Sequence, residues 1–83
     1  MQTKKIADKQ NYCWYWKSEN RYYSVRLQQN LFEEWTLLKS WGGLRNRLGG
    51  VKLETYSLFN DAIKEVTNTY KLRVRRQYKL VRG

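Results

Sequence analysis

The chain has 83 residues, with seventeen Lys and Arg against seven Asp and Glu, a net charge of +10 at pH 7, no histidine and one cysteine. That length holds a single domain that buries about 60% of its unfolded surface, the lone Cys13 rules out an internal disulfide, and the absence of His leaves no zinc ligand set. No apolar run follows the basic start MQTKKIADKQ or approaches the ~20 residues of a membrane helix, so the expectation is a soluble protein of a reducing, cytoplasmic compartment with no membrane partner.

Residues 1–11 are polar and charged without periodicity and read as a flexible basic tail, in which Lys4, Lys5 and Lys9 would form an arm; residues 12–83 read as one domain. In YCWYWK, residues 12–17, Tyr12, Trp14 and Trp16 alternate with Cys13, Tyr15 and Lys17, the period of a strand. SENR turns the chain into a second strand, residues 21–28, with Tyr23, Val25 and Leu27 on the core side and Tyr22, Ser24 and Arg26 opposite. After the connection QNLFEE, residues 34–41 are strand-prone again. Trp35, Leu37, Lys39 and Trp41 share one parity, so either Lys39 faces solvent beside an aromatic face or a bulge breaks the alternation.

The stretch SWGGLRNRLGG, residues 40–50, reads as a glycine-rich basic turn leading into a strand at 51–56, where Val51 and Leu53 oppose Lys52 and Glu54. From Ser57 the period changes. Leu58, Phe59, Ala62, Ile63, Val66 and Tyr70 fall on one stripe of a helix running to about Leu72 or a turn beyond, with Ser57 as N-cap, Asp61 at the positive end and Lys71, Arg73, Arg75 and Arg76 at the negative end. QYKLV, residues 77–81, is a short closing strand with Tyr78 and Leu80 on one face. The inferred class is α+β: an antiparallel sheet of four or five strands with one helix packed on a face.

A charge of +10 exceeds the ~2–8 that solubility of a small domain asks for and points to a polyanion. Gly42, Gly43, Gly49 and Gly50 can bring backbone N–H groups to an anion through positive-φ conformations, Arg45 and Arg47 add donors suited to phosphate, and Trp41 either offers a flat face for a base or caps the sheet core. Arg73, Arg75 and Arg76 either form a second wall of a nucleic-acid groove or serve the helix dipole from a solvated face. Tyr15 and Tyr22, on the outer face, suit packing across the sheet surface. Catalysis has no support: Cys13 has no base to activate it, Glu33 and Glu34 sit in a turn, and the carboxylates are too scattered for magnesium, so no cofactor and no metal are expected.

The series RYYSVRL, EWTLLKSWGG, a basic Gly-rich turn, SLFNDAIKEV and QYKLV resembles the WGR domain over about residues 12–82. That family, found in poly(ADP-ribose) polymerases and in short bacterial proteins, implies a mainly antiparallel sheet with one packed helix and binding of DNA near a strand break. In it the signature Trp stacks by the 5′-terminal nucleotide, and the domain also contacts neighbouring domains. Trp41 and Gly42 match the first two signature positions and Leu44 the aliphatic residue after the third. Gly43 stands where the family has Arg, Arg45 where it has Gly, and Arg47 where a basic residue often occurs. Loss of the signature Arg bears on the domain-contact surface more than on stacking. The resemblance thus implies a non-catalytic module binding duplex DNA at or near ends, with DNA favoured over RNA. The rival reading is a protein-interaction adaptor using the aromatic surface, and the excess of positive charge favours the first.

Overall fold

The structure is a computed structural model that describes residues 11–46 and 48–83. Five strands and one helix follow each other as β1 (Asn11–Lys17), β2 (Arg21–Gln29), β3 (Trp35–Gly43), β4 (Gly49–Tyr56), α1 (Phe59–Arg75) and β5 (Lys79–Arg82). The strands form one antiparallel sheet in the order β4-β3-β2-β1-β5, and α1 lies across one face, the α+β arrangement expected. Of the tail expected over 1–11, residues 1–10 with Lys4, Lys5 and Lys9 lie outside the described residues. Asn11 already belongs to β1, paired with Gln28.

The alternation in β1 and β2 holds. Trp16, Val25 and Leu27 are fully buried, joined from β3 by Leu37 and from α1 by Ala62 and Val66, while Tyr12, Trp14, Tyr23, Trp35, Phe59 and Ile63 pack round them. Rings do much of the filling: Trp35 meets Phe59 edge-on at 4.7 Å, and Trp16 meets Tyr23 and Tyr70 at 6.1 and 6.0 Å. On the uncovered face Tyr15 stacks on Tyr22 and the Ser24 and Ser40 hydroxyls share a 2.8 Å hydrogen bond.

Neither alternative for Lys39 is correct. The β2–β3 and β3–β4 registers run without a bulge, and Lys39 points into the helix-covered face, where it is 7% exposed. Its ammonium donates to Glu65 of α1 at 2.7 Å and pairs with Glu54 of β4 at 3.0 Å. Glu54 also accepts from the Tyr56 hydroxyl and pairs with Lys52. Burial opposes the charge on Lys39, but hydrogen bonds to Glu65 and Glu54 outweigh it and hold its pKa above the ordinary value. Burial likewise pushes the Glu54 carboxyl up, and its bonds to Lys39, Tyr56 and Lys52 more than reverse this. The polarity of β4 follows: Glu54 faces the helix, and apolar Val51 and Leu53 are turned to solvent, 67% and 62% exposed.

The helix ends also differ from expectation. Leu58, not Ser57, is the N-cap, with extended backbone and no side-chain cap, while Asp61 occupies the first turn as expected. At the other end Gln77 and Tyr78 are not strand residues. Gln77 takes φ 67°, its N–H donates to Val74 O, and the Tyr78 N–H reaches back to Arg73 O, a Schellman stop with glutamine where glycine is usual. That stop turns the chain sharply, so β5 begins only at Lys79.

A left-handed non-glycine residue costs about 1–2 kcal/mol, so Gln77→Gly should raise stability by about 1 kcal/mol in chemical denaturation, with the fold unchanged. The carboxyl of Glu54 is depressed in the folded state, so its contribution is present above its unfolded value near 4.5 and is lost as pH falls through the lower folded value. Glu54→Gln should therefore cost about 1–3 kcal/mol at neutral pH and almost nothing in strong acid, read from denaturation curves of both proteins across that range.

Candidate nucleic-acid interface

The two glycine pairs belong to the ladder, not to the turn. Gly42 pairs with Gly49 and Trp41 with Gly50, which leaves Leu44–Leu48 as the connection. No glycine has positive φ, and the Gly43 N–H donates to Leu48 O at 3.0 Å, so the backbone anion cradle expected here does not form. What the glycines supply is close approach. A Cβ on Gly49 would collide with the Trp41 carbonyl oxygen and lie 2.8 Å from the Gly42 Cα; one on Gly50 would lie 2.7 Å from Cζ2 of the Trp41 indole.

Trp41 therefore does not stand out from a turn. It lies down on the helix-side face of the sheet, over Gly50, and stacks on Tyr23 across the β2–β3 ladder with centroids 5.9 Å apart and planes 14° apart. It is half-buried, between the two alternatives of core and exposed platform. Beyond it α1 has ended, and the space left is a cleft of about 830 Å³. Trp41, Tyr23 and Tyr78 form its aromatic part, Gly42, Gly43 and Gly49 its edge, and Arg21, Arg45, Arg73 and Arg76 its charge. Among the described residues no carboxylate lines it.

Arg73 departs most from expectation. It is not on a solvated face: 7% exposed, its guanidinium carbon sits 4.2 Å from the Tyr23 ring centre and 4.8 Å from that of Tyr78. No carboxylate pairs with it among the described residues, and its Nε is buried without a hydrogen-bond partner. An unpaired buried cation is costly. Two aromatic faces offset part of that cost, and an anion entering the cleft would offset more. Arg45 and Arg76 are exposed at the rim. Arg75 is exposed on the last helical turn and does not line the cleft, and Arg47 lies outside the described residues.

Sequence reasoning missed Arg21, Asn20 and Asn46, counted Tyr23 only as core and read Tyr78 as part of a closing strand. The signal is the pairing itself: Arg21 opposes Gly43 in the register, and the Leu44 N–H donates to Asn20 O at 2.8 Å, so the β1–β2 and β3–β4 turns are laced side by side. The Asn46 carboxamide oxygen accepts from the Leu48 N–H at 2.9 Å and shapes the β3–β4 connection. Among the described residues there is no His/Cys/Asp/Glu group placed to hold a metal, and no helix long and apolar enough to cross a membrane.

Trp41 needs the bare surface of Gly50. Gly50→Val should lift the indole off the sheet at a cost of about 1–3 kcal/mol, seen as a lowered thermal transition, whereas a substitution at the neighbouring exposed position, Val51→Ala, should leave the transition nearly unmoved.

Compared with known proteins, the chain matches no curated protein and no solved structure. A family model described as the WGR domain matches residues 6–82, nearly the whole sequence. The order of strands and helix, the Trp41–Gly42 pair and the ladder glycines around it thus stand in one frame: the chain belongs to the WGR domain family.

Proposed function

We propose that this chain is a non-catalytic module that binds duplex DNA at or near an end, with the cleft beside Trp41 receiving the terminal nucleotide. Membership of the WGR family is consistent with a nucleic-acid-binding module. The observation that carries the finer reading is the composition of the cleft: stacked Trp41 and Tyr23, four arginines, and a buried Arg73 whose Nε has no partner.

Each part has a separate task. The half-buried indole presents one region of its surface to the cleft, and a base or sugar laid there gains stacking that is tolerant of sequence. A duplex interior keeps its bases stacked on one another, so only a terminus or a break can bring a free base face to such a ring. Arg21, Arg45 and Arg76 at the rim follow the phosphates, and Arg73, held in place by Tyr23 and Tyr78, makes a directed contact inside. Rigid placement matters here, because an arginine already ordered loses little entropy on binding. With four arginines and no carboxylate lining it among the described residues, the cleft carries a positive potential.

Fluorescence polarisation with blunt, nicked, single-stranded and closed circular DNA, beside matched RNA, tests the reading. With four to six phosphates neutralised, log K should fall against log salt with a slope of roughly −4 to −5 on duplex DNA. Arg45→Ala should make that slope shallower by about one on every duplex. Trp41→Leu keeps an apolar side chain over Gly50, so its fold should survive while binding to ends weakens by about 1–3 kcal/mol and binding to circular DNA changes little. Equal losses on both DNAs would remove the end-stacking role, and no binding to any nucleic acid at low salt would favour the adaptor reading.

A further inference from the structure

The sheet has two free edges, and they are unlike. β5 is four residues long and carries Lys79 and Arg82, a short, charged edge of the kind that resists pairing. β4 runs eight residues, GGVKLETY, with one positive and one negative side chain, so this edge is neutral on a chain of +10. No described residue pairs with its outer side.

We propose that the β4 edge docks a second copy of this chain, β4 against β4, antiparallel about a two-fold axis at Leu53. The backbone parity allows it. Gly43 donates to Leu48, and bonded pairs alternate along an antiparallel ladder, so Gly50, Lys52, Glu54 and Tyr56 spend their N–H and C=O groups on β3. Val51, Leu53 and Thr55 direct theirs to the open edge.

Charge then favours Leu53 as the centre, the register that sets opposite charges face to face. With Leu53 opposite Leu53, Val51 meets Thr55 and Lys52 meets Glu54 of the second copy, twice over. Centring the axis on Lys52 sets two lysines face to face, and centring it on Glu54 sets two glutamates face to face, arrangements that are destabilising. Lys52 alone would guard the edge; followed two residues on by Glu54 on the same face, it makes the edge self-complementary.

The apolar side agrees. Leu38 is the register partner of Leu53 on the uncovered face, and the two are 40% and 62% exposed. In the pair, Leu38 and Leu53 of one copy continue into Leu53 and Leu38 of the other, a strip of four leucines across the seam, with Val51 at 67% exposure beside it. An antiparallel join puts the two β3–β4 turns at opposite ends of the seam, so both clefts stay open. The proposal does not rest on DNA binding.

Sedimentation equilibrium of nucleic-acid-free protein tests it, from the micromolar to the millimolar range. The weight-average mass should climb from the 10.2 kDa of one chain towards twice that value. Leu53→Lys, which sets two ammonium groups opposite each other, should hold the mass at one chain throughout while its thermal transition and its DNA binding at low concentration stay as in the parent. Amide exchange at Val51, Leu53 and Thr55 should slow with concentration, and that at Lys52 and Glu54 should not. A single-chain mass at every concentration, association that Leu53→Lys leaves intact, or protection that does not follow this parity would overturn the proposal.

Discussion

A cation in the middle of the covered sheet face decides how the helix lies. Hydrophobic contact is non-directional, so the apolar floor of Trp16, Val25, Leu27 and Leu37 does not by itself fix the angle at which Ala62 and Val66 sit. Lys39 removes that freedom, because its ammonium, 7% exposed, must be met by carboxylates, and Glu65 of α1 and Glu54 of β4 meet it from two sides. The charge cluster ties α1 to β3 and to β4, whose helix-side positions are Gly50, Lys52, Glu54 and Tyr56. It also explains why β4 turns its polar residues inward and its apolar ones out. An apolar residue at position 39 would bury well but leave Glu65 without its partner and Glu54 with only the Lys52 counter-charge, at the exposed side of the cluster.

The rest of the site follows from where the helix stops. The Schellman stop at Gln77 swings Tyr78 back beside Arg73, and β5 then joins the sheet at β1, on the far side from β4. Past the last turn the helix no longer covers Trp41, and the Arg73 guanidinium lies over Tyr23. The bare backbone of Gly50 lets Trp41 lie flat there, and the paired turns bring Arg21 and Arg45 to the rim. The cleft is thus the uncovered end of the same face that forms the core, which is why its rings are half-buried and its arginine is held by aromatic packing.

The strands with a clean period of two, β1 and β2, and the helical stripe through Ala62 and Val66 were legible because each residue's side could be judged from its neighbours in sequence. Lys39 was not, since its partners lie 15 and 26 residues away and only the fold brings them together. The glycine pairs misled for a similar reason: in a sequence they look like turn residues, and the need for a bare backbone under Trp41 becomes visible only with the ladder drawn. Trp41, Gly42, Gly43, Arg45, Arg73 and Arg76 do converge on one cleft, whereas Arg75 does not, because successive residues of a helix end point different ways. Arg21 belonged to the least informative stretch, a turn after a strand, and its place beside Gly43 is a property of the register alone.

We propose that the uncovered end of the helix-side face, and not the open face behind it, receives DNA. Titration of isotope-labelled protein with a short blunt duplex, followed by NMR at the Trp41 indole N–H and the Arg73 Nε–H, tests this most directly. Both signals should shift together and saturate with the backbone amides of residues 42–46, while the outer-face amides of Ser24, Ser40 and Leu53 stay in place. Shifts centred on the outer face, with Trp41 and Arg73 unmoved at saturation, would contradict it.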